Sequence, residues 1–218
     1  MTDTRAPAAQ PGTASGIADP APLGLAAFAL TTFLLSAQNA DWTRGTEAWL
    51  AYALAYGGLV QLLAGMWEFR NRNVFGSTAF STYGGFWIGL GLYALLVVPT
   101  AKGNTDLIQN DEGWILLAFA IFNLYMLAWS TQVNTAVMGV FLTLQLTEIV
   151  LFIGFLTHSS GTIKLGGYLG VLTAVVAWYA SAAGVINGMN ARPVLWVGGP
   201  MRRSMPIGPG VTPVPRPS

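Results

Sequence analysis

Apolar residues run along this chain in six long blocks separated by short polar breaks. The blocks span about Leu23 to Ala40, Glu47 to Phe69, and Gly76 to Val98, the third closed by Pro99. Three more span about Gly113 to Ser130, Thr135 to Leu156, and Leu165 to Asn187. Each approaches the ~20 mostly apolar residues that a helix needs to cross hydrocarbon. None alternates as a barrel strand would. The pattern predicts an all-α membrane protein of six transmembrane helices. Residues 19–190 form the transmembrane domain, preceded by a disordered tail (1–18) and followed by a Pro/Arg-rich tail (191–218).

Composition sharpens this picture. Of 218 residues, 53% are apolar and 9% charged, against about 25% charged in a soluble domain. So few charges cannot cover a water-soluble surface of this size. A net charge of +1 supplies no field to hold nucleic acid. No cysteine and one histidine, His158, leave no thiolate or multi-histidine metal site. No cofactor is expected.

Placement of basic residues sets orientation. With both termini on one side, that side holds Arg5, Arg70, Arg72, Arg192, Arg202, Arg203 and Arg216. The other holds only Arg44, Lys102 and Lys164. Both termini are therefore expected in the cytoplasm, in a multi-pass protein of an inner or plasma membrane. The 191–218 tail, with seven prolines and no acid, reads as solvated near a negative lipid surface. Trp42, Trp49, Trp67, Trp114 and Trp129 fall near segment ends, as interface anchors do, whereas Trp87 and Trp178 fall mid-segment and need a packing role. The pairs Gly85/Gly89, Gly166/Gly170 and Gly184/Gly188 allow close helix contact, within a protomer or between protomers.

The first span opens Asp19-Pro20-Ala21-Pro22-Leu23-Gly24-Leu25. It resembles the NPAPLGL signature of the acetate uptake transporter family, which includes the bacterial succinate–acetate permease and fungal acetate permeases. The stretches Tyr56-Gly57-Gly58-Leu59-Val60-Gln61 and Leu63-Ala64-Gly65-Met66-Trp67-Glu68-Phe69 resemble the family's second span. The stretch from Asn73 through Gly76 and Tyr83 to Trp87 resembles the entry to its third span. The resemblance covers about residues 19–190. It implies six helices around a central pathway in each protomer, a homo-oligomer (a hexamer), and uptake of acetate and sometimes succinate. It also implies a narrow point made by Phe28, Tyr83 and Leu144, and a pathway mouth at Asp19, Pro20, Leu23 and Gly24. The signature's first Asn is Asp19 here. An Asp can still cap a helix, and Pro20 suits a first helical turn. An ionised Asp at a cytoplasmic mouth would nevertheless repel an anion.

Helical spacing supplies candidates of its own. Phe28, Thr31, Thr32, Leu35, Ser36 and Asn39 share one face of the first span. That stripe suits an aqueous path, although Thr and Ser can instead bond their own backbone. Gln61, Gly65 and Glu68 share a face of the second span. Glu68, near Arg70 and Arg72, reads as a structural ion pair or as a proton site. Tyr83 can donate to a carboxylate while its ring narrows a path.

Glu148 stands mid-span, where an ionised carboxylate costs about 2.5–3.5 kcal/mol on insertion scales. It follows Leu144 by one turn, about 5.4 Å. It is a candidate proton site or a hydrogen-bonded packing acid, with Gln61 or Asn123 as partners. His158, Asp106, Asp111 and Glu112 are read as solvated in extracellular loops 157–164 and 100–112.

No Lys or Arg lies inside any span. A carboxylate must then pass along Thr31, Thr32, Asn39, Gln61, Tyr83 and Asn123, as an anion or as the neutral acid. The expected function is channel-like or proton-linked movement of acetate and related small carboxylates across the bilayer. Two rivals stand: a conduit for ammonia or another small neutral solute, and a membrane sensor or assembly subunit without flux. No catalytic His/Glu or Asp/Asp set lies inside the spans, so an enzyme is not expected.

Overall fold

A computed structural model describes residues 16–43 and 48–201. Arg5, Arg44, Arg202, Arg203 and Arg216, which carry half of the orientation argument, lie outside the described residues, as does most of the two tails. Among the described residues every regular element is a helix, and six helices are long and apolar enough to cross a membrane. They are α1 (Ala21–Asn39), α2 (Ala48–Arg70), α3 (Val74–Ala101), α4 (Thr105–Ser130), α5 (Thr135–Leu156) and α6 (Ser160–Met189).

Helix ends follow local chemistry. Asp19 Oδ1 accepts from the Ala21 amide at 2.9 Å, so the signature's first position keeps a capping role. Asn73, Asn104 and Asn134 accept from the amides of Gly76, Leu107 and Val137 at the starts of α3, α4 and α5. Each satisfies one of the donors that a helix start leaves free. The third span does not stop at Pro99. A π-helical stretch, Tyr93–Val97, leads into a 3₁₀ turn, Val98–Ala101, with the proline in its first turn.

Two spans are longer than the apolar pattern predicts. α4 begins at Thr105, and α6 begins at Ser160 behind a Ser159 cap. Apolarity marks the part of a helix in hydrocarbon, whereas a cap marks where the helix starts. Asp106, Asp111 and Glu112 are therefore on helix α4, not in a loop. The loop expected at 157–164 is only Thr157–Ser159. His158, expected to be merely solvated, takes a left-handed φ of 53° there and places Nδ1 2.8 Å from Gln109 Oε1.

Packing runs α3–α2–α1–α6–α5–α4, and the ring closes thinly where α3 meets α4. The α1–α6 contact is the tightest because its residues are small. A Cβ on Gly167 would fall 2.3 Å from the Ala40 amide nitrogen, and one on Gly170 would fall 2.1 Å from Ser36 Oγ. Gly184 rests on Pro22, and Ser181 Oγ donates to the Pro22 carbonyl at 2.6 Å. Thus Gly166, Gly170 and Gly184 pack inside the protomer, while Gly85, Gly89 and Gly188 face open space.

Trp42, Trp67, Trp114 and Trp129 lie on the outer surface. Trp49, expected as an interface anchor, is instead 6% exposed and packs with Ala53 and Trp87. Trp178 is partly exposed and stacks 5.4 Å from Phe33.

Residues 191–201, expected as the start of a solvated tail, are bonded across the helix ends. Val197 O accepts from the Ala136 amide at 3.0 Å, and the Met201 amide donates to Thr131 O at 2.8 Å. Tyr179 donates to Trp196 O, and Asn187 bonds Val194 and Leu195. The strap supplies partners for backbone groups that α4 and α5 leave open at this end.

Candidate functional site

The bundle interior holds two joined chambers. The inner, of about 50 Å³, is lined by Phe28, Thr32, Ser36, Tyr83, Leu144 and Glu148, among others. The outer, of about 290 Å³, is lined by residues that include Gln38, Trp49, Leu90, Ile108, Glu112 and Phe155. Leu35, Asn39, Phe86, Leu116 and Leu151 belong to both walls. The outer chamber lies toward the α3–α4 and α5–α6 connections, the end of the bundle away from the strap.

Four helices build the inner chamber. Phe28 comes from α1, Tyr83 from α3, and Leu144 and Glu148 from α5, with α4 adding Leu116. The structure brings the Phe28, Tyr83 and Leu144 side chains together, at 5%, 4% and 6% exposure. The Phe28 and Tyr83 rings meet edge to face with centroids 5.7 Å apart. Phe86, Phe119 and Phe122 pack around Tyr83. Such contacts hold a ring in one orientation.

Beyond the trio, apolar side chains pack on one another. Leu25, Phe80, Val140 and Phe141 are buried in one cluster, against which Ala21, Phe75 and Val197 pack. Gly24 touches the Phe80 ring: a Cβ there would lie 2.7 Å from it. The trio belongs both to this packed cluster and to the wall of the inner chamber, so it stands at the border between them.

Glu148 is 4% exposed, and its Oε1 lies 3.2 Å from the Tyr83 hydroxyl oxygen. The Tyr83 hydroxyl also lies 3.1 Å from Asn123 Oδ1. Asn123 Nδ2 donates to Phe141 O at 2.9 Å and to Gln145 Oε1 at 3.0 Å. Gln145 Nε2 donates to Ala120 O at 3.2 Å. Glu148 Oε2 and Thr32 Oγ1 are buried without a hydrogen-bond partner among the described residues.

Not every candidate reaches the chambers. On the α1 stripe, Thr32, Ser36 and Asn39 line them. Thr31 instead donates to Ala27 O at 3.1 Å and packs on Gly57, within the π-helical stretch Ala55–Val60 of α2. Gln61 is fully buried outside the chamber walls, its Oε1 without a partner. Asn123 is occupied by Gln145, Phe141 and Tyr83.

At the strapped end, Asp19 is exposed and Pro20 buried, and Leu23 is 48% exposed. Glu68 forms no ion pair with Arg70 or Arg72. Its Oε2 accepts from Asn71 Nδ2 at 3.3 Å, and Gly76 lies against its Oε1. Gln145 is a functional-site residue outside the candidates that helical spacing supplies. Its signal was a mid-span amide three residues before the buried acid.

Among the described residues no cationic side chain lines either chamber, and no group of three or more acids and histidines could hold a metal ion.

The sequence profile of the GPR1/FUN34/yaaH family matches residues 1–197. The chain is 41% identical over 192 residues to acetate permease A of Emericella nidulans, a match covering 80% of this chain and 63% of that one. It thus spans less than two-thirds of that relative's length. It is 34% identical over 184 residues to the succinate-acetate/proton symporter SatP of Escherichia coli, covering 84% of this chain and 96% of that one. It is also 36% identical over 190 residues to ammonia transport outward protein 2 of Saccharomyces cerevisiae, covering 85% of this chain and 67% of that one. Among solved structures, the bacterial acetate channel SatP superposes with a TM-score of 0.76 at 31% identity, over 84% of this chain and 99% of that one. The six helices, their packing around a chambered interior and these matches together make the chain a multi-pass membrane protein of the GPR1/FUN34/yaaH family.

Proposed function

We propose that this protein moves acetate and related small carboxylates, succinate among them, across an inner or plasma membrane, with both termini in the cytoplasm. The observation that carries the reading is the cation-free chamber that ends at Phe28, Tyr83 and Leu144 beside the Glu148 carboxyl group. A full-strength cation would trap an anion, whereas hydroxyl, amide and aromatic groups bind weakly enough for release. The methyl of acetate tolerates an apolar pinch that a hydrated inorganic ion does not.

Phe28, Tyr83 and Leu144 act as the constriction. Thr32, Ser36 and Asn39 supply donors on the approach, and Glu148 exchanges a proton beside the passing carboxylate. Glu68, buried at the strapped end, is a secondary proton-site candidate. The six-helix domain at 19–190 carries the pathway. A hexamer follows from the family resemblance, and the open Gly85/Gly89 face of α3 suits contact with a neighbouring subunit.

The test is radiolabelled acetate uptake into proteoliposomes, with and without an inward proton gradient. Acetate flux that the gradient accelerates supports proton-linked movement. Equal flux under both conditions supports a channel. A second reading, conduction of ammonia, draws on the resemblance to a relative bearing that name. It would replace the first if acetate flux were absent while ammonia flux was present.

A further inference from the structure

Tyr83 has one hydroxyl proton, and two oxygens stand within reach of it. Backbone groups settle which one receives it. The Phe141 carbonyl can only accept, so the Asn123 atom facing it at 2.9 Å is the NH₂ group. The Ala120 carbonyl can only accept, so the Gln145 atom facing it is also an NH₂ group. Gln145 Oε1 is then an acceptor and takes the second Asn123 proton at 3.0 Å. Asn123 Oδ1 is left as an acceptor whose hydrogen-bond neighbour is the Tyr83 hydroxyl. Because an amide oxygen never donates, both contacts of Tyr83 are hydrogen bonds only if its proton goes to Asn123.

The 3.2 Å contact between Tyr83 and Glu148 must therefore be a bond in which the carboxyl group donates. We infer that Asn123 and Gln145 are positioning residues that commit the Tyr83 proton, so that the constriction closes as seen only while Glu148 is protonated. This deepens the proposed function and rests on it.

When Glu148 loses its proton, one Tyr83 proton faces two buried acceptors. Whichever loses it is left unsatisfied, and the penalty is largest for a charged group. Opening the constriction admits water as a second donor and relieves the conflict, so the proton state of Glu148 and the width of the constriction change together. The other elements facing Glu148 bring no competing charge. α1 presents Phe28, Thr32 and Ser36, and α4 presents Leu116. Along α5 the neighbours are Leu144, Thr147 and Leu151. Tyr83 is the one titratable side chain that bonds Glu148 among the described residues.

The test is infrared spectroscopy of the full chain in lipid, following the carboxylic-acid carbonyl band near neutral pH. The parent is expected to show a band that Glu148→Gln removes. Asn123→Leu frees the Tyr83 proton for an ionised Glu148 and is expected to lose most of that band. Gln145→Leu, which leaves the Phe141 anchor in place, is expected to lose less. Tyr83→Phe removes the acceptor of the carboxyl proton and is expected to move the band to higher wavenumber.

A parent without a Glu148-dependent band overturns the inference. So does an Asn123→Leu protein that unfolds at the parent's temperature and keeps the full band. If Asn123→Leu does not fold, an unshifted band in Tyr83→Phe overturns it alone. Acetate uptake is measured on the same vesicles. Its absence in the parent ends the proposed function, while the infrared outcome still decides the hydrogen-bond assignment.

Discussion

The two ends of the helix bundle are built from the same six helices and differ in what those helices place inside. Toward the strapped end, Phe75, Phe80, Phe141 and Val197 fill the axis. Toward the opposite end, the wall residues Leu35, Leu90, Ile108 and Leu116 stand back from the axis and leave two chambers. The helix framework alone therefore sets neither open nor shut. Large rings that meet across the axis close it, and side chains that stop short keep it open. Tyr83 sits at the border, held by rings on one side and by a polar network on the other.

The contrast can be broken most strongly by truncations to alanine in the two halves. Phe141→Ala, in the packed half, is expected to cost about 3–5 kcal/mol and to lower the unfolding temperature of the purified protein sharply. Leu90→Ala, on a chamber wall, is expected to cost less than half of that, because fewer neighbours lose contact. Equal losses in a thermal melt would show that the chamber half is packed as tightly as the closed half.

At the border itself, Phe28→Ala should widen the pinch. One methylene of discrimination is worth about 10-fold or more, and ring removal should raise succinate uptake relative to acetate by ~10-fold. A substrate ratio equal to the parent's in a vesicle uptake assay would move the constriction elsewhere.

A smaller effect is expected at the outer chamber. Glu112→Gln removes a negative charge from its wall, and acetate uptake at low ionic strength should rise by about 2-fold. The gain should shrink in high salt, since charges open to solvent are screened beyond a Debye length of about 10 Å at 0.1 M.

The smallest effect on the protomer is expected from Gly85→Leu with Gly89→Leu, because both positions face open space. Stability of the protomer should change by less than about 0.5 kcal/mol. The mass of the detergent-solubilised assembly is expected to fall if this face meets a neighbouring subunit. An unchanged mass would place that contact on another face.

Much of this was readable before any coordinates. The six spans follow from apolar runs whose length the bilayer dictates. The family resemblance implies the trio of Phe28, Tyr83 and Leu144, the first two by motif register and Leu144 by a looser alignment, and the structure brings these side chains together. The buried acid announced itself as a charge in an apolar run. Periodicity was less informative about the amides. Asn123 and Gln61 were expected on the pathway, yet one is enclosed by Gln145 and the other is buried outside the chamber walls. A helical face gives a direction but does not say which helix lies in that direction. Thr31 and Thr32 are adjacent in the sequence, and the π-helical stretch of α2 takes one of them while the chamber takes the other.

The sequence by itself determined that this chain lies in a bilayer, how many times it crosses, and that no cation stands along its spans. Those properties are sums over segments, and hydrocarbon enforces them whatever the neighbours. Only the tertiary structure decided which end is plugged, which polar groups are spent on one another, and where the Tyr83 proton goes. Each of those depends on atoms from different helices meeting within about 3 Å, the range in which hydrogen bonds form, and no single helix carries that distance.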